Sequence, residues 1–200
     1  PSIENTLGEY LCSSQVPSYA ISETQKFGHV TYFWNGNKSG YIDENLEKYE
    51  EILSDKVTFD LRPWMKAAEI TDKVVEAIEG GQYKFIRLNF ANSDMVGHTG
   101  VYEAVMKACE TVDACTKELV EAGTKQGYSF IIIADHGNAD KVINEDGTPN
   151  TAHTTNLVPV YILDKDVKAV KDGKLADIAP TVLKLMSLPA PKEMDGDVLV

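Results

Sequence analysis

An uninterrupted apolar run that stops at an acid and an imidazole constrains the fold of this chain more than any other feature. Residues 130–134 read FIIIA, and Asp135 and His136 follow directly. Such a run is typical of a strand that is buried on both sides of a parallel sheet. Because helices cover the faces of parallel sheets, the run predicts a layered α/β fold. Asp135 and His136 would then stand at the tip of a central strand.

The rest of the chain alternates between strand-like and helix-like patterns, as a layered α/β fold requires. Helices are predicted over residues 3–13, 65–81, 101–123 and 175–188. Strands are predicted over residues 29–35, 83–91, 129–135 and 156–163, and the polar stretch 36–56 is expected to form an exposed connection. Residues 1–200 are therefore interpreted as a single α/β domain, or most of one, with a mainly parallel sheet. In such folds ligands bind at the carboxyl ends of the strands.

Composition indicates a globular chain and disfavours two classes of partner. The chain is 43% hydrophobic and 25% charged, and no segment approaches the roughly 18 apolar residues of a membrane span. Its net charge of -12 disfavours nucleic acid and anionic membrane surfaces, which attract basic patches. Three scattered cysteines without a C-x-x-C pair, and no visible secretory signal, predict a cytoplasmic protein.

Polar clusters at predicted strand ends carry the chemistry of this sequence. They are Asp94 and His98 in "NSDMVGHTG", Asp135 and His136 in "ADHGNAD", and His153 in "TAHTTN". Two carboxylates and three imidazoles suit Mn²⁺ or Zn²⁺ better than Ca²⁺ or Mg²⁺, which prefer oxygen ligands throughout. Five ligands exceed the needs of one tetrahedral site, so the set predicts two metal ions. Paired metals are typical of enzymes that transfer phosphoryl groups.

Each cluster taken alone leaves a structural alternative open. The D-x-x-x-H spacing places Asp94 and His98 on one face if the segment is helical, but Gly97 and Gly100 are equally compatible with a turn. His153 alone is compatible with a loop histidine. The segment "ETQKFGH" adds Glu23, Lys26 and His29, and Lys26 could meet a phosphate oxygen or be an ordinary solvated lysine.

Five motifs in the same order carry a resemblance to a known family. They are "ETQKFGHVTYFWNG", "GGQYKFIRLNFANSD", "NSDMVGHTG", "ADHGNAD" and "TAHTTN". Together they resemble the 2,3-bisphosphoglycerate-independent phosphoglycerate mutases of the alkaline phosphatase superfamily, and the resemblance covers essentially the whole chain. It implies a three-layer alkaline-phosphatase-like fold, a monomeric cytoplasmic enzyme of glycolysis and phosphoglycerate as the substrate.

The resemblance also implies a role for each candidate residue. Asp94, His98 and His153 would hold a first Mn²⁺, and Asp135 and His136 would contribute to a second, with Zn²⁺, Co²⁺ or Mg²⁺ as alternative metals. Lys26 would stabilise charge on the transferred phosphoryl group. In that family a serine attacks 3-phosphoglycerate, a phosphoserine forms, and the phosphoryl group returns to the 2-oxygen. Serine is a weak nucleophile that metal coordination activates.

One departure from the family is large. Its nucleophilic serine, a further aspartate of the second metal site and the inserted domain that carries the substrate-binding arginines are all missing. Ser93 stands beside Asp94, but that position has no catalytic role in the family and Ser93 is expected to be a loop serine. The chain is therefore expected to be the C-terminal portion of the metal-binding domain, incomplete at its N-terminus and inactive alone. The alternatives are a phosphopentomutase, a phosphatase or a sulfatase of the same superfamily, or a non-catalytic metal-binding module.

Overall fold

A three-stranded parallel sheet forms the centre of the fold. Strand β1 (Ser18–Glu23) is the middle strand, and it pairs in parallel with β2 (Glu47–Ile52) and β3 (Phe85–Asn89). Two further strands, β4 (Phe130–Ile133) and β5 (Val160–Leu163), form a separate antiparallel pair. The computed structural model describes residues 1–200. The predicted α/β class with a parallel sheet is confirmed.

Helices cover both faces of the parallel sheet. The six α-helices of the chain are α1 (Leu7–Ser13), α2 (Thr24–Gly28), α3 (Ala67–Gly80), α4 (Asn92–Gly97), α5 (Tyr102–Lys125) and α6 (Ile178–Leu185). Ile86 of β3 packs with buried residues of α3 and α5, whereas its neighbour Phe85 packs with buried residues of α1 and α6. Successive side chains of a strand point to opposite faces, so the two pairs of helices lie on opposite sides. None of the helices is both long enough and apolar enough to cross a membrane.

The two long amphipathic helices, α3 and α5, form close to where the sequence predicts them. Helix α3 buries Ile70, Val74 and Ile78, which recur at helical spacing, and it ends at Gly81 with a φ of 66°. That left-handed conformation favours glycine because glycine has no Cβ to clash with the following carbonyl. Helix α5 also runs as predicted, with its N- and C-terminal residues shifted by one and two positions. Helix α1 begins four residues later than expected, where Thr6 caps it.

The prediction of a strand over residues 29–35 was wrong. Residues His29–Phe33 form a π-helical segment that continues from α2. The Thr31 hydroxyl donates to the Phe27 carbonyl four residues earlier at 2.7 Å, and the Asn37 amide donates to the Tyr32 carbonyl five residues earlier at 3.0 Å, as in a helix. Tertiary packing here overrides the preference of aromatic and β-branched residues for strands.

The strand in this region is β1, which the sequence patterns did not indicate. The stretch 36–56, expected to be only a connection, contains β2 at the edge of the sheet. Both strands include several polar residues. Nevertheless all six residues of β1 are buried.

The prediction that the isoleucine run is a central strand of the parallel sheet was also wrong. Strand β4 pairs only with β5, and the pairing is antiparallel. Because one edge of β4 has no neighbouring strand, the run is only partly covered. Ile133 is 42% exposed, and Tyr161 of β5 is 57% exposed. The strand nevertheless ends at Ile133, two positions before Asp135, so Asp135 and His136 follow its end as predicted.

Candidate metal centre

Asp94 and His98 are brought together by a short helix. Helix α4 begins at Asn92, three residues after the end of β3, and Asp94 lies in its first turn. His98 follows the last helical residue. The segment is thus helical rather than a turn, and residues four apart face the same side. His98 Nε2 lies 3.1 Å from Asp94 Oδ1.

His153 reaches the same carboxylate from a distant loop. Its Nε2 lies 3.1 Å from Asp94 Oδ1 and 3.2 Å from His98 Nε2. The loop is fastened to the segment after β4, because the Thr154 amide donates to the Gly137 carbonyl at 2.9 Å. The Asp140 carboxylate strengthens this join by accepting from the Thr154 hydroxyl at 2.9 Å. One ligand atom from each of Asp94, His98 and His153 lies within 4.8 Å of the others.

The hydrogen bonding of His98 fits a metal ligand. His98 Nδ1 lies 2.8 Å from the Thr151 carbonyl oxygen, which can only accept, so Nδ1 carries the proton. In the neutral ring the lone pair of Nε2 then points towards Asp94 Oδ1, as in a histidine whose ring is oriented for coordination. Electron-rich atoms at this separation repel one another unless a cation or a proton lies between them. A carboxylate with two imidazoles therefore fits a divalent cation of the Mn²⁺ or Zn²⁺ type.

Lys26 and Asn138 surround the carboxylate of Asp94. The Lys26 ammonium, on α2, forms an ion pair with Asp94 Oδ2. Asn138 Nδ2 donates to Asp94 Oδ1 at 2.7 Å. Burial by itself would raise the pKa of Asp94, but the hydrogen bonds from Lys26 and Asn138 outweigh it and lower this pKa to about 2. Asp94 is therefore ionised, and ready to bind a cation, at any physiological pH.

The second predicted pair lies beside this group rather than within it. The His136 ring stacks on the His153 ring with 3.8 Å between centroids. His136 Nδ1 lies 3.2 Å from the Gly137 carbonyl oxygen, which leaves Nε2 free to face a ligand. The Asp135 side chain is 61% exposed, and its Oδ2 lies 3.6 Å from His136 Nε2. The two residues are thus adjacent to each other and to the cluster of Asp94, His98 and His153.

Three residues near the motifs supply none of the clustered ligand atoms. Glu23 is buried and accepts from the Ser54 hydroxyl at 2.7 Å, and burial raises its pKa. The His29 ring packs against Phe33 with 5.3 Å between ring centroids. Ser93, which was expected in a loop, lies in α4, and its hydroxyl oxygen is 3.8 Å from the sulfur of Cys109.

Asn138 hydrogen-bonds to Asp94, and the sequence patterns did not identify it as a residue of the site. It belongs to "ADHGNAD", but an asparagine in a motif rich in glycine and aspartate reads as a turn residue. Its burial, with only 5% of its surface exposed, depends on the packing of this loop against α4. A buried amide beside a carboxylate is visible only in three dimensions.

Comparisons with known proteins agree with this centre. The sequence matches the metalloenzyme superfamily over residues 1–190. It is 52% identical to a 2,3-bisphosphoglycerate-independent phosphoglycerate mutase of Bacteroides thetaiotaomicron over 99% of this chain and 39% of the relative. It is 46% identical to a probable enzyme of the same name from Leptospira interrogans, over 96% of this chain and 38% of that protein.

A solved structure is similar as well. A crystal structure of Leishmania mexicana phosphoglycerate mutase at low cobalt concentration has a TM-score of 0.93 and 39% identity, covering 100% of this chain and 40% of that chain. The predicted resemblance to these mutases is thereby confirmed. The chain spans about two fifths of the length of the relatives that it matches. With a family match over residues 1–190 and a cluster of side chains that could hold a metal ion, the chain belongs to the metalloenzyme superfamily.

Proposed function

We propose that the chain is the metal-binding part of a 2,3-bisphosphoglycerate-independent phosphoglycerate mutase. The observation that carries this proposal is the convergence of Asp94, His98 and His153, whose ligand atoms lie within 4.8 Å of one another. Similarity to such mutases over 99% of the chain supports phosphoglycerate as the substrate. The proposed reaction is the isomerisation of 3-phosphoglycerate and 2-phosphoglycerate in glycolysis, through a phosphoserine intermediate. We place it in the cytoplasm and expect a monomeric enzyme.

Each candidate residue has a proposed role in this reaction. Asp94, His98 and His153 would hold a first Mn²⁺, and Asp135 and His136 would contribute to a second. A bound metal pair supplies positive charge that stabilises phosphoryl transfer, and Zn²⁺, Co²⁺ or Mg²⁺ are alternatives to Mn²⁺. Lys26 would contact a phosphoryl oxygen, because its ammonium is held beside Asp94 and is a compact positive charge.

The remaining parts of the machinery are proposed to lie in residues that this chain does not include. They are the serine nucleophile, a further aspartate of the second metal site and the arginines that bind the substrate. The chain covers 39% of the length of the Bacteroides relative. Exposed apolar side chains on β4 and β5, among them Ile133 and Tyr161, support this proposal because further residues would cover them. Residues 1–200 would then be the C-terminal portion of the metal-binding domain.

Metal binding by the 200-residue chain tests the first site. After treatment with EDTA and dialysis, the chain is expected to take up one Mn²⁺ in isothermal titration, because Asp135 and His136 provide only two ligands for a second ion. Asp94→Asn is expected to abolish this binding, since it removes the carboxylate that both histidines face. Asp146→Asn is the matched control, because the Asp146 carboxylate accepts from the Thr148 hydroxyl at 2.6 Å within its own loop and takes no part in the group. Equal Mn²⁺ binding by Asp94→Asn and the unchanged chain would contradict the site.

Turnover tests the reaction. A protein that carries this chain at the full length of its relatives is expected to convert 3-phosphoglycerate to 2-phosphoglycerate in an assay coupled to enolase. The 200-residue chain is expected to show no turnover, because it lacks the nucleophile. Hydrolysis to glycerate and phosphate by the longer protein, without isomerisation, would instead favour a phosphatase. Turnover by the short chain would refute the proposed location of the nucleophile.

A further inference from the structure

Asn138 contacts the central ligand of the metal centre at two points. Its Nδ2 donates to the Asp94 carboxylate oxygen Oδ1 at 2.7 Å and to the Asp94 main-chain carbonyl at 3.1 Å. One side-chain amide therefore links the carboxylate of Asp94 to the main-chain carbonyl of the same residue. Since the carbonyl belongs to α4, the carboxylate is held in a defined rotation relative to that helix. Oδ1 is the atom that faces His98 and His153.

The neighbouring helix leaves space for this amide at Gly97. A Cβ atom at Gly97 would lie 2.3 Å from Asn138 Oδ1, closer than any real contact. Gly97 is helical and is not among the residues with positive φ, so the backbone conformation itself does not require glycine. Alanine is the better helix former at such a position. The glycine is therefore explained by the close approach of Asn138.

The oxygen of the Asn138 side-chain amide has no hydrogen-bond partner. Asn138 Oδ1 is buried and accepts no hydrogen bond. An acceptor buried in this way destabilises the fold, so the placement of Asn138 is not explained by stability. The opposite orientation of the amide would set its oxygen against the carboxylate of Asp94 and would be repulsive. The Asn138 amide nitrogen also lies 3.4 Å from His98 Nε2, so its hydrogen-bond contacts are all with Asp94 and the histidine beside it.

We infer that Asn138 is a positioning residue that orients the Asp94 carboxylate for metal binding, and that Gly97 is required to admit it. The inference rests on the proposed metal site. Groups that hydrogen-bond to metal ligands typically change metal affinity by about 10–100-fold when they are removed. Asn138 would change metal affinity through Asp94, because its amide fixes which carboxylate oxygen of Asp94 faces His98 and His153.

Two independent substitutions test the inference in the 200-residue chain. Asn138→Leu keeps the size of the side chain and removes the donor, whereas Gly97→Ala keeps Asn138 and blocks its position. Each is expected to weaken Mn²⁺ binding in isothermal titration by about 10–100-fold. Each should also alter the visible absorption spectrum of bound Co²⁺, which reports the ligand geometry. Asn144→Leu is the control, because Asn144 donates within its own loop to Thr148 at 3.1 Å, and it should leave both readouts unchanged.

A double substitution tests whether Gly97→Ala acts through its clash with Asn138 or through a general loss of stability. In the Asn138→Ala background Gly97→Ala should have no further effect on Mn²⁺ affinity, because the new methyl group no longer meets Oδ1. Unfolding in urea with EDTA present measures the stability of each metal-free variant.

The outcomes distinguish the inference from the proposed function. If the unchanged chain binds no Mn²⁺, the proposed metal site itself fails. If the unchanged chain binds Mn²⁺ and both single variants bind it equally well, the positioning role is overturned. A loss of stability in EDTA with an unchanged Co²⁺ spectrum would also overturn it, because it would assign Asn138 a purely structural role.

Discussion

Substitution of Lys26 by methionine tests the electrostatics of the site most directly. In the metal-free chain the Lys26 ammonium is the cation that neutralises Asp94, and the two side chains are only 9% and 15% exposed. Methionine keeps the length of the side chain and removes its charge. We expect Lys26→Met to destabilise the chain when metal is absent, because it leaves a largely buried carboxylate without its ion-pair partner.

The magnitude follows from the pKa of Asp94. This pKa is lowered from 3.8 to about 2 although burial opposes the change. A difference of this size corresponds to about 2.4 kcal/mol at 1.36 kcal/mol per pKa unit. Asn138 supplies part of it, and solvent screens the exposed fraction of the pair. The expected loss in the free energy of unfolding is therefore about 1–2 kcal/mol at pH 7.

Bound Mn²⁺ should reverse the effect of the substitution. A cation at Asp94 carries the charge that Lys26 otherwise provides, and the ammonium competes with it for the carboxylate. The variant should therefore lose little stability in saturating Mn²⁺ relative to the unchanged chain. By linkage, it should bind Mn²⁺ about 5–30-fold more tightly, since this factor corresponds to about 1–2 kcal/mol.

Urea unfolding in EDTA and in excess Mn²⁺, combined with isothermal titration, measures both quantities. Lys38→Met is the control, because Lys38 pairs with Glu9 at 2.5 Å on the surface, where the side chains are 34% and 28% exposed. Its loss should be below about 1 kcal/mol and should not depend on metal. Weaker Mn²⁺ binding by Lys26→Met, or unchanged stability in EDTA, would refute the competition between Lys26 and the metal for Asp94.

Three further predictions concern the stability of the fold. Leu183→Ala, at a fully buried position of α6, should lower the free energy of unfolding by about 2–5 kcal/mol in urea. Hydrogen bonds from the side chain and backbone of Lys174 lower the pKa of Asp177 to about 2. Because its folded pKa lies below the ordinary 3.8, Asp177 stabilises the fold above that pH and loses this effect as the pH falls towards 2. Asp177→Asn should therefore flatten the acid unfolding curve in this range, as followed by circular dichroism. Gly123→Ala should cost about 1–3 kcal/mol in urea unfolding, because its Cβ would lie 2.3 Å from the Phe130 ring.

The difference between β1 and β3 explains why one strand was predictable and the other was not. The segment around β3 is rich in Phe, Ile and Leu, which identify a strand by residue type. Strand β1 contains Ser18, Ser22 and Glu23, yet every residue in it is buried. The Ser22 hydroxyl donates to the Asn89 carbonyl at 2.9 Å, and Glu23 accepts from Ser54 at 2.7 Å. These partners are distant in the sequence, so a pattern read along the chain marks the segment as polar.

The isoleucine run shows the opposite error. Its residue types predict full burial, but the burial of a strand depends on the strands and helices that flank it. Strand β4 has one antiparallel neighbour, β5, so Ile133 remains 42% exposed. Hydrophobicity predicted the strand itself, whereas its place in the sheet depended on long-range pairing.

The amino-acid sequence by itself determined the chemical nature of the site. Residue types and their local spacing put Asp94 and His98 four positions apart and Asp135 and His136 at the end of an apolar strand, and both are short-range properties. Only the tertiary structure decided which side chains support these ligands. The contact of Asn138 with Asp94 spans 44 positions and depends on the missing side chain of Gly97. Such a contact arises from the packing of a loop against a helix, and no local pattern specifies that packing.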